Sequence, residues 1–301
     1  MTAQPEVFTS AEAAKPRPTR RQRRRAEREE GGRVNWGLTA LMCLLSLAVL
    51  VPLYFTISTA LKTPDQLAGT GFGLPTNPRW ANFSDAWTMV NYPRTAFNSA
   101  AITVGAVILT LLTNSMVAYA ISKNMHRRRY KFLYFYFVSA IFVPFPIIML
   151  PVVKLTATLN MDNQLGLIFL YTVYGLSFNI LVYVGYLHSI PKDLEEAAAI
   201  DGASVWSTFW RVIFPLLAPM NATVGIITCV WVWNDFMLPL VILSDPADQT
   251  LPLVQYVFQG QFNVNYTVAF ASYLMALAPL LVVYIFAQRW VISGVTRGSV
   301  K

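Results

Sequence analysis

The sequence predicts an all-α integral membrane protein with six transmembrane helices and both termini in the cytoplasm. Three observations carry this. Only 13% of the 301 residues are charged and 55% are hydrophobic, whereas a soluble domain uses about 25% charged residues to solvate its surface. That argues against an ordinary soluble enzyme and against a disordered chain. Six stretches are apolar for the roughly 20 residues that a helix needs to cross the hydrocarbon core. The 23 Lys and Arg residues then segregate to one side of those stretches, as the positive-inside rule demands.

Residues 1–35 come first. They hold nine basic and five acidic residues and no hydrophobic pattern, and read as a disordered basic cytoplasmic tail. The run Arg20 to Arg25 serves best as a topology anchor, aided by anionic lipid. Nucleic-acid binding and a twin-arginine export signal fit less well: the apolar run starts more than ten residues later and is too long for a signal core. The membrane domain is residues 36–301. Its expected spans are Trp36–Leu61, Phe97–Ser122, Phe132–Val153, Gln164–Ile190, Leu216–Ser244 and Val268–Gln288. Each is apolar all round rather than on one face, which separates it from an amphipathic soluble helix.

An even number of spans puts both termini on one side. That side carries 19 of the 23 basic residues: nine in the tail, Lys123, Arg127, Arg128, Arg129 and Lys131 after span two, Lys192 and Arg211 after span four, and Arg289, Arg297 and Lys301 at the end. The opposite side has Lys62, Arg79, Arg94 and Lys154. The richer side is therefore cytoplasmic.

The expected membrane interior is nearly free of ionisable groups. Asp235 alone lies well inside a span, whereas a carrier driven by protons or sodium needs several such groups. Prolines 52, 144, 146, 151, 239 and 279 show no paired pattern of broken helices. There is no Gly-rich phosphate loop, no HExxH and no GxSxG. His126 and His188 stand apart at span edges, and Cys43 and Cys229 sit in apolar runs as small packing residues. No catalytic residue, metal ligand, cofactor or nucleic-acid partner is expected.

The informative segment lies between spans four and five. Pro191 suits the first turn of a helix, and Asp193, Glu195 and Glu196 follow where the positive end of the dipole favours acids. Leu194, Ala197, Ala198 and Ile200 supply packing surface, and Gly202 stops the helix in a left-handed conformation. Trp206, Phe209, Trp210 and Ile213 then lie on one face of a second helix that Pro215 ends. An interfacial helix resting on lipid is the plain alternative, but such helices carry a basic polar face. This one is acidic, which fits a protein partner better.

Glu196-Ala197-Ala198, Gly202 after three more residues, and Val212-Ile213-Phe214-Pro215 after nine resemble the EAA loop of binding-protein-dependent ABC importer permeases. The usual ending is Ile-x-Leu-Pro, and Val212 and Phe214 are conservative departures from it. Ile190 to Pro219, Asn98-Ser99, Ala118-Tyr119-Ala120, Trp233-Asn234-Asp235-Phe236, Thr250-Leu251-Pro252 and the Ser293 to Lys301 terminus are similar, more narrowly, to carbohydrate importer permeases of the maltose MalG type. The likeness spans 36–301, with the EAA loop at 191–219.

The resemblance implies the permease domain of a type I importer in a bacterial plasma membrane. It implies a second permease subunit, usually a different chain, so that two subunits line the pathway as a heterodimer within the lipid bilayer. Two ATP-binding cassette subunits would dock beneath, and an extracytoplasmic solute-binding protein would deliver a sugar, an oligosaccharide by preference. The permease itself would be no enzyme. A helix from about Leu194 to Ala203 would couple to the ATPase, with Glu195, Glu196, Ala197, Ala198, Asp201, Gly202 and Ala203 at the contact. The C-terminal Gly294, Gly298 and Lys301 match a segment that reaches between the ATPases in related permeases. Aromatic faces pack on sugar rings and amides satisfy hydroxyls, so Tyr171, Asn179, Trp231, Trp233, Asn234 and Asp235 are candidate pathway residues. Packing at the membrane interface is the competing role for the aromatics; a backbone-bonding role at a helix break near Pro239 competes for Asp235. A permease for a non-sugar solute, and more remotely an ion-coupled carrier, remain the alternative readings.

Overall fold

The computed structural model describes residues 36–69, 71–258 and 265–297, with backbone alone at 257, 287 and 289–297. The tail at 1–35 and the terminal 298–301, with Gly298 and Lys301, lie outside the described residues. The chain divides into two units, residues 1–54 and 55–301.

The uninterrupted apolar run forms helix α1 (Trp36–Ala60), with Pro52 inside it; its residues up to Tyr54 belong to the first unit and its last turns to the second. Every residue from Trp36 to Leu53 is exposed, and so is Tyr54. The Ser46 hydroxyl donates to the Met42 carbonyl at 2.8 Å, so its polar group is satisfied within the helix. A helix apolar on every face is compatible with lipid or with a neighbouring helix.

The regular structure of the second unit is helical among its described residues. Besides short turns at Pro64–Gly69 and Leu251–Val254, it comprises α2 (Ala81–Met89), α3 (Tyr92–Lys123), α4 (Arg128–Ser139), α5 (Phe145–Thr158), α6 (Gln164–Leu187), α7 (Asp193–Ile200), α8 (Val205–Leu216), α9 (Ala218–Asn234), α10 (Met237–Ile242) and α11 (Tyr266–Arg297). Helix α3 is the centre. Near its start Ile102 and Ala106 pack with Leu167 and Tyr171 of α6 and Val232 of α9. Near its end Ala118 and Tyr119 pack with Ile180, Tyr183 and Leu187 of α6 and Val224 of α9. Residue numbers rise together along α3 and α6 and in opposite senses along α3 and α9, so α6 is parallel to α3 and α9 antiparallel. A smaller cluster joins Ala60, Ala86 and Val90 to Val254, Val268 and Ala271. Within this unit, buried Asn82 donates from its Nδ2 to the carbonyls of Ala60 (2.9 Å) and Lys62 (2.8 Å), satisfying orphan groups at the end of α1.

Four helices are long and apolar enough to cross a membrane: Trp36–Ala60, Tyr92–Lys123, Gln164–Leu187 and Tyr266–Phe286. Two of the six expected spans are not continuous helices. The third, expected from Phe132 to Val153, is α4 and a 3-10 turn at Ala140–Phe142, then α5, with a 107° bend. The break is chemical. Val143 is extended (ψ 108°) because a residue before proline is pushed out of the helical region, and Pro144 continues the extended stretch (ψ 133°). The fifth, expected from Leu216 to Ser244, stops being helical at Asp235 (ψ 131°) and resumes only for α10. Its helix α9 also bends by 75° from α8.

Candidate functional site

The loop between α6 and α9 is a helix–turn–helix. Its first helix, α7, begins with Asp193, Glu195 and Glu196 in the first turn, where acids complement the backbone dipole. It covers Asp193–Ile200, shorter than expected, and Asp201, Gly202 and Ala203 form the turn. Gly202 has φ +78°. Its N–H bonds to Ala199 O at 3.1 Å, and that of Ala203 to Ala198 O at 2.9 Å. These are the paired bonds of a Schellman cap. Ser204 opens α8 by accepting from Ser207 N at 3.2 Å.

Proline 215 does not end α8. The helix contains a π-helical turn at Phe209–Ile213 and runs on to Leu216. Pro215 has no N–H and its ring crowds the carbonyl four residues back; the wider turn directly before it makes room. The expected apolar face is kept in part. Phe209 and Ile213 are buried, while Trp206 is 62% exposed and touches Trp210 edge-on at 5.8 Å between ring centroids.

The tip of the loop is open. None of the α7 residues is buried. Ile200 is 86% exposed and Val205 61%. Glu196, Ala197, Asp201 and Gly202 are exposed, and Ala198 and Ala203 are half-buried. The expected packing residues Leu194, Ala197 and Ile200 therefore find no core among the described residues. Glu195 is different. Its Oε2 accepts from the Tyr119 hydroxyl at 2.9 Å and pairs with Lys123 Nζ at 2.8 Å. Lys123 also donates to the Tyr119 oxygen at 3.1 Å. Sequence reasoning had Ala118-Tyr119-Ala120 as a motif and Lys123 as a topology-setting charge, but gave neither Tyr119 nor Lys123 a contact with the loop. Their i, i+4 spacing on one helix face was the available signal.

The pathway candidates separate into two groups. Tyr171, fully buried, donates its hydroxyl to Asp235 Oδ2 at 2.9 Å and meets the Trp231 ring edge-on at 5.4 Å. The other carboxylate oxygen, Oδ1, accepts from Met237 N at 3.0 Å, bonding the backbone across the break between α9 and α10. Trp233 turns away, and its indole N–H donates to Ala276 O on α11 at 3.3 Å. The Asn234 amide donates to Val230 O of its own helix at 2.7 Å. Asn179 is buried two turns further along α6, beside Gly175 and Asn114. So Tyr171, Trp231 and Asp235 come together and the other three do not join them.

At the end of the bundle away from α7, two motifs meet that are remote in sequence. The Asn98 amide donates to Ala247 O (2.9 Å) and Gln249 O (3.0 Å), and Ser99 Oγ accepts from Leu251 N (2.8 Å). Arg94 Nε adds a bond to Ala247 O at 2.9 Å. Gln164 reaches Asp248 at 3.0 Å and Ser244 reaches Asp162 at 2.9 Å, so the 244–251 segment is held from both sides.

Comparisons with known proteins agree with one another. A family model described as binding-protein-dependent transport system inner membrane component matches residues 115–297. The chain is 38% identical, over 87% of its length and 95% of the relative's, to the multiple sugar-binding transport system permease protein MsmG of Streptococcus mutans. It is 30% identical, over 92% and 99%, to the melibiose/raffinose/stachyose import permease protein MelC of Bacillus subtilis. Among solved structures, a chain of a bacterial ABC transporter involved in the import of the acidic polysaccharide alginate superposes with a TM-score of 0.74 over 91% of this chain and 99% of that one. At 22% identity that likeness concerns the fold.

Proposed function

Because the chain belongs to the carbohydrate ABC importer permease family of binding-protein-dependent transport system inner membrane components, we propose that it is one of two permease subunits of an ATP-driven oligosaccharide importer in a bacterial plasma membrane. The partner permease is a different chain. Two ATP-binding subunits dock on the cytoplasmic face and an extracytoplasmic binding protein delivers the sugar. Each bent helix pair counts as one crossing, which makes six spans with both termini cytoplasmic. The basic cluster from Lys123 to Lys131 adjoins the end of α3 beside α7, which supports putting that end in the cytoplasm.

The observation that carries the coupling role is the exposed tip of the helix–turn–helix. Ile200, Val205 and Trp206 are large apolar residues left uncovered next to Glu196, Ala197 and Ala198. Charged heads on α7 and apolar tips on the turn suit a protein cleft with a basic wall, and the alanines permit close approach. Glu196, Ala197, Ala198, Asp201, Gly202 and Ala203 make up the docking surface, and Glu195, turned to Tyr119 and Lys123, supports them from within this chain. When the ATPases close on ATP, this element moves and rocks the spans between inward- and outward-open states, a rigid-body form of alternating access. Of the pathway residues, Trp231 and Asn234 are exposed and offer sugar contacts. Tyr171 and Asp235 hold Trp231 and the helix break in place, and Asn179 and Trp233 shape the wall.

The test is uptake of a panel of labelled oligosaccharides by a deletion strain carrying the wild-type chain or Glu196→Lys with Ala197→Arg. The wild-type chain restores uptake of at least one sugar. The double variant inserts normally but neither retains the ATPase nor transports. Normal uptake and ATPase binding by the double variant would refute the docking assignment.

A further inference from the structure

Resting on the coupling reading above, we propose that Glu195 is a positioning residue which, through Lys123 and Tyr119, ties the docking helix to the central membrane helix and carries its movement there. Glu195 and Glu196 are neighbours with opposite surroundings. Glu196 is exposed, whereas the Glu195 side chain is 25% exposed and its Oε2 holds both the Lys123 ammonium and the Tyr119 hydroxyl. Its carboxylate is engaged within this chain rather than left for a partner.

The way α7 is mounted gives that contact its importance. None of the α7 residues is buried, so no core packing anchors the helix. A cavity of about 480 Å³ separates it from the bundle, lined by Tyr119, Lys123, His126, His188, Glu195 and Glu196 among others. Among the described residues, Glu195 provides the side-chain hydrogen bonds and the ion pair that join α7 to the rest of the chain. A force applied to α7 therefore reaches the bundle through the backbone at its two ends, through its approach to the Phe209–Ile213 turn of α8 and, by side-chain bonds, through Glu195.

Tyr119 makes the receiving end rigid. It is 4% exposed, its ring lies 5.3 Å from that of Phe209, and Phe209 is itself buried on α8. One side chain of α3 thus touches both helices of the loop: the first through its hydroxyl and the second through its ring. Lys123, four residues later on the same helix, lies over the Tyr119 ring at 5.4 Å and closes the triangle. These three groups couple α7, α8 and α3 so that they shift together. A polar network of this kind acts as a unit, and only double variants can apportion it.

The experiment uses the assembled importer in proteoliposomes and reads sugar uptake per ATP hydrolysed, together with the amount of ATPase subunit that co-purifies. Glu195→Lys sets like charges together. It lowers uptake per ATP by about tenfold, as expected of an adverse charge pair at a contact, with the ATPase still bound in wild-type proportion. Lys123→Glu combined with Glu195→Lys restores most of the loss. Tyr119→Phe keeps the ring against Phe209 and removes only the hydroxyl, and it lowers the ratio by a smaller factor; it decides the matter if the charge variants do not fold. An unchanged ratio in Glu195→Lys, a swap that restores nothing, or a wild-type ratio in Tyr119→Phe each overturns the proposal and leaves the docking role standing. A wild-type chain that retains no ATPase subunit overturns the docking role itself, and the proposal with it.

Discussion

Gly202 isolates the physics of the docking turn. Its φ of +78° lies where an L side chain is strained, and a Cβ built there meets nothing within 4 Å. Alanine would therefore have space for its methyl group, and its whole cost is conformational, about 1–2 kcal/mol for a residue held left-handed. At 1.36 kcal/mol per factor of ten, that lowers the population of the Schellman turn by about 5- to 30-fold. Asparagine tolerates the left-handed region better than alanine and costs less. Proline fixes φ near −65° and removes the N–H that bonds to Ala199 O, so it abolishes the turn. The affinity of the permease complex for its ATPase subunits, titrated in detergent, should fall in the order Gly, Asn, Ala, Pro, with Gly202→Ala weaker than wild type by about 5- to 30-fold. Wild-type affinity in Gly202→Ala, or equal loss in Asn and Ala, would show that the turn conformation is not what docking requires.

Substitutions at two further positions probe the far end of the bundle. Asp235→Asn keeps an acceptor for Met237 N and an amide that can donate to the Tyr171 oxygen, so melting and uptake should both stay near wild type; Asp235→Leu leaves both partners unpaired and should cost about 1–3 kcal/mol of stability. Uptake lost in Asp235→Asn with wild-type melting would instead put the charge on the substrate path. Gly166→Ala forces a Cβ into the Met161 carbonyl oxygen, which is backbone and cannot swing aside; the overpacked turn should lower stability by about 1–3 kcal/mol or more, and an unaltered melting curve would contradict the close approach.

Hydropathy made four spans legible because a continuous apolar run is a partition signal, and α1, α3, α6 and α11 are continuous helices. The same signal cannot report backbone continuity. Pro52 and Pro279 sit inside helices, while Pro144, with Pro146 two residues later, stands at a 107° break. Pro215 rides through on a π turn. The helix–Gly202–helix pattern was legible because caps and turns are local, set by a few adjacent residues. The Tyr119–Glu195 bond, 76 residues apart, and the Asn98 clamp on 247–249 were not. Both depend on which helix ends meet, and a single sequence does not specify that. Asp235 was marked by its charge, and its bonding of the backbone at a break near Pro239 was legible because that contact is local; its bond to Tyr171 appears only once α6 and α9 are packed together.

The central claim is that the 191–216 loop docks an ATP-hydrolysing partner on the face opposite Asp162. With Cys43 and Cys229 replaced, a single photo-crosslinking cysteine at Ala197 can be compared with one at Asp162 in intact membranes. Mass spectrometry of the adducts should find a subunit with ATPase activity crosslinked to residue 197 and absent from residue 162. The same subunit crosslinked to residue 162, or no ATPase subunit at residue 197 in a transporting strain, would contradict it.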